Sequence, residues 1–246
     1  MNKKKVLVAS GCSFTAYPDC WPSQIKEKYN LELVNGGAGS QGNALIARKV
    51  IAYVQDLINI KGYHPDEIIV GVMWSGIDRA DRYVDGGDMF IGPPFTPESP
   101  TAIIDNRRNW RIMNVHWQTS EDCKQWYRIF NHGVSSMVYT LEHILRVQMY
   151  LDKLGIKYFM TTYMDMWIHD FIRHAEVAYL WDMVDWKKFL PVKGCYEWVD
   201  ENYPIDGFKP AEPNGWRDQH PTPFGQERFA HEVIVPFIEE NKLINN

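Results

Sequence analysis

The chain has few cysteines and no long apolar run. Its 246 residues include four cysteines without any C-x-x-C spacing, which predicts neither a dense disulfide framework nor a cysteine-based zinc motif. No stretch approaches the roughly 20 apolar residues that span a bilayer. The run Val6–Ala9 is also too short for the core of a signal peptide. We therefore expect a cytoplasmic protein without membrane association, with reduced thiols at Cys12, Cys20, Cys123 and Cys195.

Basic residues are fewer than acidic residues. Lysine and arginine number 26 against 31 aspartates and glutamates, which gives a formal net charge of −5. The one dense basic run, Lys3–Lys5, directly precedes the first apolar stretch. Because nucleic-acid binders usually carry a basic surface, no nucleic-acid partner is expected. Apolar residues make up 45% and charged residues 23% of the chain, which is typical of a globular protein.

Apolar runs alternate with amphipathic stretches along the chain. The run Lys5–Ser10 is apolar and ends at Gly11, a pattern typical of a buried strand. Further strands are predicted over residues 31–34, 67–74 and 157–163. Helices are predicted over residues 21–29, 43–58, 123–154 and 166–190, and after the N-cap Thr222. Strands separated by helices favour an α/β fold with a parallel sheet.

Two stretches break this alternation. Residues 85–122 contain several Gly-Gly and Pro-rich turns without clear periodicity, so we interpret them as a loop or lid insertion. Residues 191–217 also look irregular. No internal repeat or linker divides the chain, and a single domain over residues 1–246 is the simplest interpretation.

A serine follows the first predicted strand. In open α/β folds, ligands bind at the carboxyl edge of the sheet, so Ser13 would be well placed as a nucleophile there. The stretch Gly11–Thr15 lacks the second glycine of the G-x-S-x-G elbow of α/β-hydrolases. Taken alone, such a serine is more often structural than catalytic.

A candidate base and a candidate acid lie near the C-terminus. A serine nucleophile needs a base, and the base needs a group that orients its other nitrogen. His220 and Asp218 supply both types just before the last predicted helix. The alternative is that Asp218 caps a turn and His220 is an ordinary loop residue.

Taken together, these segments resemble the SGNH (GDSL-like) hydrolase family. Val8–Thr15 is similar to the first block of that family, and Asn35–Asn43 and Asp218–Gly225 are similar to its second and last blocks. The resemblance implies a three-layer α/β/α fold and a triad of Ser13, His220 and Asp218. It also implies an oxyanion hole formed by the amides of Ser13 and Gly39, with Gly42 as the alternative to Gly39.

The third and last blocks depart from the family pattern. The third block is usually G-x-N-D, with the Asn as an oxyanion donor, and here Ile77 stands where the Asn would fall. Either Ser75 or Asn43 would replace it, or the site would be slow or non-hydrolytic, since one oxyanion donor is worth about 3–4 kcal/mol. The family acid usually stands three residues before the histidine, where this chain has Arg217.

Three further residues are candidates for substrate binding. Trp74, Asp78 and Arg79 end or follow the third predicted strand, where they are expected to contact substrate. The alternative for the charged residues is an ion-pair cluster on a loop. His169 and His174 are five positions apart and off one helical face, so no metal site is predicted.

The function that the resemblance implies is hydrolysis of an acyl ester without a metal or organic cofactor. The expected partner is a small-molecule or glycan ester. An acylated carbohydrate is one candidate, since aromatic residues can stack on sugars. Two alternatives stay open: O-acyl transfer at the same site, and a catalytically silent binding or structural protein on the same fold. The G-C-S-F-T opening also resembles that of family members in phages and environmental bacteria.

Overall fold

Four parallel strands form the central sheet in the computed structural model, which describes residues 4–83, 110–113, 121–213, 215 and 218–244. The sheet order is β2-β1-β3-β6, and two further strands, β4 and β5, form a separate antiparallel pair. The strands are β1 (Val6–Ser10), β2 (Glu32–Asn35), β3 (Ile68–Trp74), β4 (Ala80–Tyr83), β5 (Trp110–Met113) and β6 (Lys157–Thr162).

Ten α-helices are present in the described part of the chain, and none of them is long and apolar enough to cross a bilayer. They are α1 (Ser13–Ala16), α2 (Trp21–Tyr29), α3 (Asn43–Asn59), α4 (Glu121–Phe130), α5 (Gly133–Leu154), α6 (His169–Ile172), α7 (Ala175–Met183), α8 (Cys195–Asn202), α9 (Pro223–Phe229) and α10 (Val235–Glu240). A π-helical turn, Ala230–Ile234, joins the last two.

The sheet is buried on both faces. All residues of β1 and β3 are buried, as expected of parallel strands between two helical layers. One face packs with α3, α5 and α7 into one apolar cluster, and the other packs with α2, α8, α9 and α10 into a second. The predicted α/β fold, a mostly parallel sheet in a three-layer sandwich, is therefore confirmed.

The strand register places the carboxyl ends of the strands at one edge. Ala9 pairs with Asn35, Ser10 pairs with Val72, and Trp74 pairs with Thr162. The segments that follow these four strands therefore emerge side by side. The nucleophile candidate and the glycine-rich loop belong to two of these segments.

The prediction of one continuous helix over residues 123–154 is wrong, because the structure has two helices there, α4 and α5. Asn131 and His132 separate α4 from α5, and His132 caps α5 by accepting the Val134 N–H at 3.3 Å. The predicted end of this region is correct, since Gly155 closes α5 in a left-handed conformation with φ of 67°.

Two predictions of irregular structure are also corrected. The stretch predicted to be irregular over 191–217 contains α8, whose buried Cys195 and Val199 are too few to give a clear apolar periodicity. Within the predicted insertion, residues 110–113 form β5 and pair with β4, whereas residues 84–109 and 114–120 lie outside the described residues. Cross-strand pairing of this kind is non-local and leaves little signal in a short sequence window.

Gly71→Ala tests the packing of the sheet against α2. A Cβ atom at Gly71 would lie 2.6 Å from Phe159 Cζ and 2.7 Å from Trp21 Cη2. Because both rings are in the core, the substitution is expected to lower the free energy of unfolding by about 1–3 kcal/mol, measured by urea denaturation. Gly155→Asn is the control, since its site is open and Asn tolerates left-handed backbone. Equal stability of the two variants would contradict the prediction.

Candidate active site

Ser13, His220 and Asp218 form a continuous hydrogen-bonded chain. The Ser13 Oγ lies 2.7 Å from His220 Nε2, although the two residues are 207 positions apart in the sequence. His220 Nδ1 lies 2.6 Å from Asp218 Oδ1. Ser13 is only 8% exposed, whereas the His220 side chain is 39% exposed. The structure thus brings together all three residues of the predicted triad.

The chemistry of the three groups assigns their protons. An ionised carboxylate only accepts hydrogen bonds, so His220 Nδ1 carries the proton that faces Asp218. In a neutral imidazole the Nε2 atom is then an acceptor, and the Ser13 hydroxyl donates to it. This is the arrangement in which the imidazole can remove the serine proton.

The short spacing between acid and base is accommodated by a local turn. Asp218 Oδ1 accepts both the His220 ring proton and the His220 backbone N–H, the latter at 3.1 Å, as in an Asx turn. Lys209 Nζ lies 3.6 Å from the other carboxylate oxygen. Burial tends to raise the pKa of Asp218, but the hydrogen bonds from His220 and the charge of Lys209 hold it below its usual value. Arg217, at the family's usual acid position, lies outside the described residues.

Trp21 ties the two halves of this site together. Its indole N–H donates to Thr15 Oγ1 at 3.2 Å, in the short helix that Ser13 begins. Its backbone N–H donates to Gln226 Oε1 at 3.2 Å, in the helix that follows His220. Trp21 is fully buried, so these two hydrogen bonds lie away from water. The sequence predicted Trp21 only as the start of a helix.

The glycine-rich loop after β2 wraps around the nucleophile turn. Asn35 Nδ2 donates to the Thr15 carbonyl at 2.8 Å, and the Ala38 N–H donates to the Gly11 carbonyl at 3.1 Å. Gln41 Nε2 also donates to the Gly11 carbonyl, at 3.0 Å. Lys49, which is completely buried, donates from Nζ to a carbonyl of the same loop at 3.1 Å. Buried side chains therefore fix the backbone of the loop against the nucleophile turn.

Of the two glycines predicted as oxyanion donors, Gly39 is the one whose amide is available in the described structure. Gly39 is half-buried, and its N–H donates to no residue that the structure describes. The Gly42 N–H, in contrast, donates to Asp81 Oδ1 at 3.1 Å. Gly42 is thus corrected as an alternative donor, because its amide is already paired.

Asn43 and Ser75 do not replace the missing third donor. Asn43 Nδ2 donates to the Ser75 carbonyl and to Thr140 Oγ1, and Asn43 Oδ1 accepts the Ser75 N–H. The Ser75 hydroxyl donates to the Gln41 carbonyl at 2.7 Å. Both side chains are buried and hold the loop backbone, so the expectation that either faces the oxyanion is corrected.

Asp81, two residues after Arg79, lies against the glycine loop and holds its backbone. It is almost completely buried, and its two oxygens accept the N–H groups of Gly42 and Leu45 at 3.1 Å each. Burial raises the pKa of Asp81, although these amides and the charges of Arg48 and Lys49 favour its ionised form. Asp81 therefore caps α3 from a different element, and no local N-cap pattern in the sequence signals it.

Trp74, Asp78 and Arg79, at and after the end of β3, were predicted to contact substrate, and the structure places them in different environments. Trp74 is completely buried, with its indole N–H directed at the Met160 sulfur at 3.4 Å, so its predicted substrate contact is corrected. Arg79 lies with its guanidinium carbon 4.7 Å from the centroid of the Tyr163 ring. Asp78 is half-buried in the same turn, and its carbonyl accepts the Tyr127 hydroxyl at 2.8 Å.

Two aromatic rings extend from this turn to the histidine. The Tyr163 ring packs edge-on against Phe14 at 5.3 Å, and the Phe14 ring lies 5.1 Å from the His220 ring. These rings form an apolar wall beside the triad. Neither was predicted as part of the site, since an aromatic residue after a strand gives no sequence signal of that role.

The remaining candidates lie apart from this site. His169 is in α6, and His174 caps α7 by accepting the Glu176 N–H at 3.3 Å. Among the residues that the structure describes, no three metal-ligating side chains come together. Cys12 is buried in the second apolar cluster.

Three solved structures show a distant overall similarity to this chain. A putative lipolytic protein of the G-D-S-L family from Desulfitobacterium hafniense DCB-2 is 12% identical, with a TM-score of 0.43 over 92% of this chain and 96% of that protein. LAE5, an alpha/beta hydrolase enzyme from the metagenome of Lake Arreo, Spain, is 14% identical, with a TM-score of 0.42 over 100% and 99% of the two chains. A mutant of the esterase AlinE4 is 13% identical, with a TM-score of 0.42 over the full length of both.

At these identities and TM-scores, the similarity does not indicate which reaction, if any, this chain catalyses. A search of curated proteins found no match. Residues 10–246 match the model described as "Family of unknown function (DUF6071)", and the chain belongs to that family.

Proposed function

We propose that the protein is a serine hydrolase of SGNH type that cleaves an acyl ester through Ser13, His220 and Asp218. The observation that carries this proposal is the continuous pair of short hydrogen bonds, 2.7 Å from Ser13 Oγ to His220 Nε2 and 2.6 Å from His220 Nδ1 to Asp218 Oδ1. A serine, a histidine and an aspartate in this order and geometry are the parts that nucleophilic acyl transfer needs.

The first half of the reaction acylates the serine. Ser13 Oγ attacks the ester carbonyl while His220 Nε2 takes the hydroxyl proton, and the imidazolium is stabilised by Asp218. Collapse of the tetrahedral intermediate expels the alcohol, which receives the proton from His220. In the second half, water attacks the acyl-serine with His220 again as the base, and the acid product leaves.

The oxyanion would be held by backbone amides. Ser13 lies in the first turn of α1, where amides have no partner within the helix. The Gly39 N–H lies in the loop that packs on that turn, and it is our candidate for the second donor. Since Asn43 and Ser75 are used to hold the backbone, we expect turnover to be slower than in an enzyme with three donors.

A fluorophosphonate probe tests the nucleophile directly. Ser13 Oγ would displace fluoride from phosphorus and stay covalently labelled, with His220 taking the proton. We expect labelling of the wild type and none of Ser13→Ala, with His220→Ala slowed by at least about 10³-fold. Ser23→Ala, at a half-buried serine of α2, is the matched serine control and should label normally. A folded wild type that stays unlabelled would favour a catalytically silent binding protein.

Asp218→Asn tests whether the acid orients the histidine. An Asn at this position offers the wrong partner to Nδ1, so labelling is expected to slow by about 10³- to 10⁴-fold. Lys209→Met should slow it only a few-fold, because Lys209 is exposed and 3.6 Å from the carboxylate. The measurement is the second-order rate of labelling at fixed pH. Equal effects of the two substitutions would count against a triad role for Asp218.

A further inference from the structure

A cavity of about 600 Å³ opens beside the turn that follows β3. Its walls come from that turn and from β4, α3, α4 and α5, and they combine aromatic rings with arginines. Mixed linings of this kind are typical of small-molecule sites. We name it the arginine cavity, after lining residues that include Arg48, Arg79, Arg82, Trp126, Tyr139 and His143.

Positive charge exceeds negative charge in the arginine cavity. Arg48, Arg79 and Arg82 line it, against Asp78 and Asp81. The Asp81 carboxylate is already committed, because both of its oxygens accept backbone N–H groups at the start of α3. A bound anion would therefore meet more cationic than anionic groups at this place.

Arg82 is held in an orientation suited to binding. Its guanidinium carbon lies 5.3 Å from the centroid of the Trp126 ring, and its Nη1 donates to the Asp81 carbonyl at 3.1 Å. A guanidinium has five N–H donors, so these two contacts leave other donors of the group available. Arg82 is exposed, so these donors are accessible to an oxyanion, with which a guanidinium fork pairs.

His143 reports the electrostatic character of the cavity. Burial lowers the pKa of His143 to about 4, and the charges of Arg146, Arg48 and Arg82 add to the effect. The imidazole is therefore neutral near pH 7 and can form hydrogen bonds without adding charge. Burial is the larger cause of this shift, and only the smaller contribution of the three arginine charges also favours an anion in the same space.

Arg79 connects the arginine cavity to the triad. It lines the cavity, while its guanidinium packs on Tyr163 and contacts Cys12, the residue before Ser13. Its Nη1 atom is buried and has no hydrogen-bond partner among the described residues. An unpaired buried donor on a charged group is costly, so the guanidinium of Arg79 is not fully satisfied by the described residues.

We infer that the arginine cavity binds a carboxylate or phosphate group carried by the ester that Ser13 attacks. This inference rests on the proposed esterase function and narrows its substrate class to anionic esters. Guanidinium forks pair with both kinds of oxyanion, and the rings of Trp126 and Tyr139 cover the apolar part of such a molecule. Arg79 lines the cavity and also packs on Tyr163, whose ring contacts Phe14 beside His220, so this arginine lies between the cavity and the triad.

Matched esters test the charge preference. The p-nitrophenyl hemiesters of succinate and glutarate carry a free carboxylate, whereas their methyl-capped counterparts are neutral. We expect kcat/KM of the wild type to be at least about tenfold higher for the charged member of each pair, as charge-assisted hydrogen bonds imply. Arg82→Gln and Arg48→Gln should each lower this ratio, and Arg128→Gln, an exposed arginine of α4 outside the cavity lining, should preserve it.

The inference is overturned if the wild type cleaves both members equally, or if the ratio survives in both cavity variants while their Tm values show that they are folded. Calorimetric titration of Ser13→Ala with succinate and with inorganic phosphate, at constant ionic strength, separates this failure from a failure of the proposed function. If no ester is cleaved and Ser13 is not labelled, the esterase proposal has failed. Binding that is lost on adding Arg82→Gln then still supports an anion site, whereas the absence of binding overturns it.

Binding of succinate or phosphate without any preference for charged esters would also contradict the inference as stated. In that case the anion occupies the cavity as a separate molecule and not as part of the substrate. The titration and the ester pairs together therefore distinguish a substrate-borne oxyanion from a free one.

Discussion

Parallel pairing of the strands is the constraint on which the rest of the molecule depends. Each strand must return through a helix before the next one begins, so all four strands end at the same edge. Ser13 follows β1, the glycine loop follows β2, and the turn with Arg79 follows β3. Tyr163 follows β6 and completes the wall beside His220. The groups proposed for chemistry meet because the sheet leaves the four segments no other place to emerge.

A second consequence concerns the buried polar groups near that edge. A glycine loop has few side chains of its own, so its carbonyl and amide groups need partners from elsewhere when they are buried. Asp81, Lys49 and Gln41 supply them, and Asn43 and Ser75 bond to each other's backbone or side chain. Each group used in this way is unavailable to a substrate. The polar residues closest to the proposed oxyanion hole therefore support its backbone instead of lining it.

Much of the fold could be predicted from the sequence, because its signals are local. The apolar runs that became β1 and β3, the amphipathic period of α3, and the capping residues Thr222 and Gly155 all act within a few positions. The pairing of β4 with β5 and the cap that Asp81 provides to α3 join distant segments and leave no local pattern. Trp74 was misplaced for a related reason, since a residue at a strand end can face either the core or the edge.

The alignment of Ser13 with His220 also joins distant segments of the chain, so the sequence could not predict its geometry. Each residue could be identified as a candidate from its own motif. A hydrogen bond of 2.7 Å across 207 positions requires two helices to be fixed against one another within a few tenths of an ångström. Trp21 provides that fixation, since one buried residue bonds to Thr15 beside the nucleophile and to Gln226 behind the histidine. The Trp21 ring in turn packs on Phe159 of the central sheet. The geometry of the triad is thus set by core packing, and substitutions in that core should disturb the site before they abolish the fold.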